Sequence, residues 1–160
     1  MKEVNLTQGY TALVDDQDYL RVSQYKWCVL FRRDKDGSIL SVYARTNAHI
    51  GSQLMHRFIL GVTDSKVEVD HEDHNGLNCR RYNLRKATKA QNQHNQKLHI
   101  RNNSGFKGVR WQEPSWLSYI RYQGKQLHLG SFSNILDAAR AYNEAAKKYF
   151  GEFALLNIVP

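Results

Sequence analysis

Asp70-His71-Glu72-Asp73-His74-Asn75-Gly76-Leu77-Asn78-Cys79-Arg80-Arg81-Tyr82-Asn83-Leu84-Arg85 is the stretch on which the reading of this chain turns, with Gln91-Asn92 just beyond it. Val67-Glu68-Val69 leads in as a short strand. Asn75-Gly76 is the turn signal of a long polar loop. Asn83 to Ala87 returns as a second strand, and Thr88 caps a helix expected from Lys89 to about Leu98. The order strand, loop, strand, helix can bring Asp70, His71, Asn83 and Asn92 together.

Those residue types suit metal-assisted phosphodiester hydrolysis. A carboxylate (Asp70) and an amide oxygen (Asn92) are hard ligands, fitted to magnesium or manganese. Such a site leaves positions open for phosphate oxygens and water, and the metal stabilises the developing charge. His71 can take the proton of the attacking water. Asn83 can fix that ring through its other nitrogen. Arg80, Arg81 and Arg85 surround the loop and can hold phosphates with paired N–H donors.

The same residues carry a resemblance. Asp70-His71, an Asn-Gly turn, an Arg, Asn83-Leu84-Arg85 and Gln91-Asn92 on a helix resemble the HNH homing endonucleases of the ββα-metal type. They are similar to the subgroup whose final His is Asn. Two departures lie in the loop: Asp73-His74 displaces the turn, and Asn78-Cys79-Arg80 stands where the family often has Asp-Asn-Arg. The resemblance implies Asp70 and Asn92 as ligands of a divalent metal, His71 as general base and Asn83 as the residue that orients it. Met55-His56-Arg57, Gln8-Gly9, Val14-Asp15-Asp16 and Tyr25-Lys26-Trp27 also look like phage-type members. That implies a phage-encoded protein working in a bacterial cytoplasm.

Working outward, residues 4–50 read as short strands and turns. Tyr10 to Val14 and Trp27 to Phe31 are β-rich, and Asp34-Lys35-Asp36-Gly37-Ser38 turns into a return strand from Ile39. Gln53 to Leu60 reads as a short helix ended by Gly61. Beyond the polar linker Arg101–Gly105, three strands are expected at Lys107–Gln112, Leu117–Tyr122 and Gln126–Leu129. A helix is expected from Asn134 to Tyr149, with Ile135, Ala138, Ala139, Tyr142, Ala145, Ala146 and Tyr149 on one face. Lys107, Arg110, Trp111, Arg121 and Gln126 interleave bases and aromatics on those strands, which suits a sheet laid in the major groove. Asn103 to Trp111, Trp116, Ile120-Arg121, Leu129-Gly130-Ser131-Phe132, Asp137 to Asn143 and Phe150 to Ala154 resemble the Apetala/ethylene-response-factor DNA-binding domain.

Composition bounds the alternatives. The chain has 160 residues and a formal net charge of +8. Seven bases meet six acids in residues 1–50, eight meet five in 51–100, and eight meet four in 101–160, so the positive charge grows toward the C-terminal end. That charge points to a polyanionic partner, and with the motifs to double-stranded DNA. No apolar run approaches the roughly 18 residues of a membrane span, and Met1-Lys2-Glu3-Val4-Asn5 has no apolar signal region. Two cysteines, with no CxxC, argue against a disulfide framework or a cysteine zinc site.

The expectation is an α+β protein with a β-rich module at 1–50, a nuclease core at 51–100 and a DNA-reading module at 101–160. It works as a monomer or homodimer, and a single site nicks one strand. A catalytically inactive DNA-binding or regulatory protein of the same fold is the alternative. His56 reads as a packing or phosphate residue, His74 as a solvated loop residue, Cys79 as a small loop residue and Trp116 as core. His94 and His99 read as facing solvent or DNA.

Overall fold

The structure, a computed structural model, describes residues 1–47, 51–98 and 102–160, so the expectation for His99 lies outside the described residues. The chain divides into two units, Met1–Asn92 and Gln93–Pro160.

In the first unit, β1 (Lys2–Asn5) pairs antiparallel with β2 (Thr11–Val14). Helix α1 (Asp16–Val22) follows, with Asp16 and Asp18 in its first turn and Arg21 in its last, charges that oppose the helix dipole. The sequence reading has no helix here. Seven residues are too few to display a helical period, and only Asp18 and Val22 turn inward. β3 (Cys28–Arg33) and β4 (Ile39–Thr46) form the expected hairpin, extended by β5 (Gln53–Leu54). Helix α2 (Met55–Leu60) ends on Gly61, whose φ of 63° lets its N–H close on the carbonyls of Arg57 and Phe58. β6 (Glu68–His71) pairs with β7 (Leu84–Ala87), and α3 (Lys89–His94) comes next. The helix is one turn shorter than expected.

One core runs through this unit. Val4, Val14 and Val22 from the first fifty residues pack with Met55, Ile59, Val69 and Leu84. A boundary near residue 50 would cut that core in two. The segment 1–50 alone would be too small to bury its apolar surface.

The second unit is a three-stranded antiparallel sheet in the order β10-β9-β8, built from β8 (Val109–Gln112), β9 (Ser115–Tyr122) and β10 (Lys125–Phe132). Helix α4 (Ile135–Phe150) starts at Asn134, whose side-chain oxygen accepts the Leu136 N–H at 2.8 Å. Its small residues Ala138, Ala139, Ala145 and Ala146 are buried with Tyr142 and bring the helix close to the strands. Gly108 (φ 67°) is needed at this contact, because a Cβ there would lie 2.1 Å from the Tyr142 ring.

Candidate functional site

The β6–β7 register sets Asp70 opposite Arg85 and His71 opposite Leu84. Alternation along β6 puts Glu68 and Asp70 on one face and Val69 and His71 on the other. Asp70 is 5% exposed, and the Nε and Nη2 of Arg85 both reach its Oδ2 at 2.8 Å. A buried carboxylate needs such a partner. On the other face the His71 ring meets two aromatic neighbours. Its centroid lies 4.7 Å from His56, edge to face, and 5.9 Å from Tyr43. Tyr43 and His56 are themselves 5.6 Å apart. Burial pushes His71 down to about 4, against the opposing pull of Asp73 and Asp70. Burial pushes His56 down to about 3, helped by His71 and Arg57. Both rings are therefore neutral at pH 7, and a neutral imidazole is the form that accepts a proton.

Asn83 organises the loop. Its Nδ2 donates to Asp73 Oδ1 at 2.9 Å and to the Asn78 carbonyl at 2.8 Å, and its Oδ1 accepts the Asp73 N–H at 3.0 Å. The sequence reading gave it a hydrogen bond to the His71 ring; in the structure both amide hydrogens hold the loop that follows His71. Burial raises the Asp73 carboxyl, but hydrogen bonds from Asn78, the Asn75 backbone and Asn83 outweigh it and leave the group below its ordinary value. Backbone bonds from Leu13 to Leu77 and from Cys79 to Leu13 dock the loop on β2. Gly76 lies so close to β4 that a Cβ would sit 2.3 Å from the Val42 carbonyl and 2.6 Å from the Tyr43 ring. Cys79 is fully buried and its thiol is pushed up to about 12 by burial, so it packs and does not react.

Asn92, at the fourth expected position, donates its amide to the Glu68 carboxylate. Glu68 lies two residues before Asp70 on the same face of β6, so the hairpin brings Asn92 to the face that carries Asp70. Glu68, Asn92, His56, Tyr43 and Arg32 help line an open cleft of about 400 Å³. Glu68 and His56 join the cleft without having been expected there as site residues. The signal for Glu68 was its i−2 position to Asp70. For His56, whose ring partner is 15 residues away, no local signal existed. His56 Nδ1 is buried with no hydrogen-bond partner among the described residues.

The loop arginines each have partners within the protein. Arg81 grips the buried Asp18 with Nε at 2.7 Å and Nη2 at 2.8 Å, while its backbone N–H donates to Asp15 at 2.7 Å. Arg85 holds Asp70. Arg80 donates to Asn78 Oδ1 at 2.8 Å and lies over the exposed Tyr82 ring. Arg81 and Arg85, expected to hold phosphates, each pair in this structure with a buried carboxylate that needs a partner.

In the second unit, Arg110, Arg121 and Gln126 are exposed on the sheet face away from α4. Arg121 pairs directly across from Gln126, and Arg110 lies over the Tyr119 ring at 5.5 Å. Two other expected contacts lie elsewhere. Trp111 alternates onto the Val109 side, 53% exposed, with its ring 5.0 Å from Trp116. Lys107 donates its ammonium to the carbonyls of His94 and Gln96, at 2.9 and 2.8 Å, and burial lowers it to about 8. It serves as a cap on carbonyls that would otherwise lack donors.

Among the described residues no group of three or more His, Cys, Asp or Glu is gathered to hold a metal ion. The Asp70 carboxylate, the Asn92 amide and the Glu68 carboxylate all offer oxygen; Glu68 and Asn92 line the cleft, and Asp70 is held by Arg85. Magnesium is bound in this way, through one or two carboxylates and completed by substrate phosphates. The buried, partnerless Nδ1 of His56 near this cleft is a further polar group that the fold itself does not use.

A family model described as HNH endonuclease matches residues 54–94, from β5 through α3. An uncharacterized HNH endonuclease of Acanthamoeba polyphaga mimivirus is 33% identical over 156 residues, covering 94% of this chain and 76% of that protein. Dehydration-responsive element-binding protein 2A of Oryza sativa subsp. indica is 41% identical over 58 residues, 34% of this chain, which spans 21% of the plant protein; the japonica protein matches to the same extent. No solved structure matches. The viral likeness runs through both units and the family model falls on the hairpin that carries Asp70, His71 and Asn83, so the chain belongs to the HNH endonucleases.

Proposed function

We propose that the chain is a divalent-metal-dependent DNA endonuclease of homing type that hydrolyses one phosphodiester per active site. The observation that carries this is the buried His71, packed against the rings of His56 and Tyr43 and one residue from Asp70. His71 accepts the proton of the attacking water. Asp70 and Asn92 would hold a magnesium or manganese ion, which supplies positive charge to the scissile phosphate and the leaving 3′ oxygen. Arg85 fixes the Asp70 carboxylate in place, and Asn83 fixes the loop that bounds the ring. The sheet of the second unit supplies affinity for double-stranded DNA through Arg110, Arg121 and Gln126, in keeping with its likeness to the plant dehydration-responsive element-binding proteins. One site cuts one strand, so a monomer nicks and a homodimer can make both cuts.

The test is supercoiled plasmid with magnesium, manganese or chelator, for wild type and His71→Ala side by side. Metal-dependent relaxed circles from wild type alone support the reading, and linear product adds a dimer. A second reading, a DNA-binding protein without cleavage, is favoured by the ion pair that engages Asp70 with Arg85. Intact DNA across a broad panel, with binding retained, would establish it instead.

A further inference from the structure

None of the loop arginines Arg80, Arg81 and Arg85 lines the cleft that holds His56 and Tyr43. Arg81 and Arg85 are held by buried carboxylates, and Arg57, which also lines the cleft, donates to the carbonyls of Val67 and Asp64 at 2.6 and 2.7 Å. Arg32 is different. It is exposed, it lines the cleft with His56, Glu68 and Asn92, and its guanidinium has no partner among the described residues.

Its position follows from the β3–β4 register. Leu30 pairs with Tyr43, and Arg32 pairs with Ser41. Alternation puts Leu30, Arg32, Ser41 and Tyr43 on one face of the hairpin. Tyr43 on that face is the ring packed against His71. Arg32 therefore stands one side-chain repeat, about 7 Å of strand, beyond the Tyr43 position. Arg33, on the opposite face, donates to the Gly37 carbonyl and lies over the Phe31 ring.

We propose that Arg32 is a phosphate-binding residue of the nuclease, gripping a phosphate next to the scissile one on the same strand. The inference rests on the nuclease reading above and adds the surface along which the cut strand lies. Three features converge on it: a planar guanidinium that presents paired donors, a place on the wall of the cleft that Glu68 and Asn92 also line, and no competing partner among the described residues.

The experiment uses the full chain. Duplex DNA binding is measured in chelator over a series of salt concentrations for wild type, Arg32→Ala, Arg32→Lys and Arg33→Ala. Cleavage of the same DNA in magnesium or manganese is measured alongside. Loss of one phosphate contact lowers the slope of log affinity against log salt by about 0.9. Arg32→Ala should show that drop and bind about tenfold more weakly, Arg32→Lys should restore the slope, and Arg33→Ala should match wild type. An Arg32→Ala slope equal to wild type, with the protein folded by circular dichroism, overturns the assignment even if the enzyme cuts. A reduced slope in a protein that never cuts supports phosphate binding by Arg32 while refuting the nuclease reading.

Discussion

Arg81→Ala separates a structural arginine from a DNA-contacting one. Asp18 is 3% exposed, and Arg81 gives it two charge-assisted hydrogen bonds of 2.7 and 2.8 Å; Arg21 gives a third at 3.0 Å. Removing one partner of a buried ion pair costs about 3–5 kcal/mol. Here the loss is smaller, because the Arg81 side chain is itself 41% exposed and Arg21 stays on the carboxylate. We expect about 2–3 kcal/mol from the first unit. For a unit of this size that lowers its melting temperature by roughly 10–20 °C. Differential scanning calorimetry reads it, and urea unfolding should show the midpoint falling with the slope unchanged. DNA affinity of the folded variant in chelator should match wild type, with the same salt slope. A variant that melts like wild type but binds DNA with a shallower salt slope would refute the reasoning and return Arg81 to the phosphates.

His56 and His71 take up protons in the unfolded chain near 6.5 but in the folded one only near 3 and 4, so stability is complete above pH 6.5 and falls as pH drops toward 4; His71 alone accounts for about 3 kcal/mol. Melting curves of metal-free protein from pH 7.5 to 4.5 check this, and His56→Phe should flatten the trend; a midpoint independent of pH would count against both burials. Arg110→Ala with Arg121→Ala should weaken DNA binding and lower the salt slope by about two, while Trp111→Ala leaves the slope alone; an unchanged slope in the double variant would remove the sheet from the interface. Lys107→Met should cost about 1–2 kcal/mol of stability in the second unit with no loss of salt slope, and a reduced slope would show that this ammonium does reach phosphate.

What the sequence made legible is what neighbours along the chain decide. The Asn-Gly turn, the short apolar strands, the Thr88 cap and the one-sided apolar face from Ile135 to Tyr149 foretold β6, β7, α3 and α4 to within a few residues. His71 and Asp70 stood out because their adjacency survives any folding of the chain. The partners of the arginines did not stand out. Arg81 finds Asp18 across 63 residues, and nothing near either residue records that meeting. The same holds for His56 against His71, and for the core that joins Val4 and Val14 to Ile59 and Leu84. The surroundings of Lys107 and Trp111 were not legible either. A basic or aromatic residue on a strand suggests a surface contact, but its side of the sheet and the carbonyls it meets after α3 are set by the fold.

The single apolar core of the first unit bears on how such a protein can change over generations. Every residue of that core lies between Val4 and Leu84, and the clusters of the second unit are drawn from Phe106 onward. A recombination event that exchanges the segment after Asn92 leaves the whole interior around His71 untouched. One that exchanges residues 1–50 removes Val14, Trp27 and Ala44 from beneath the same hairpin. Lineages should therefore trade the second unit freely while inheriting the first as an undivided block.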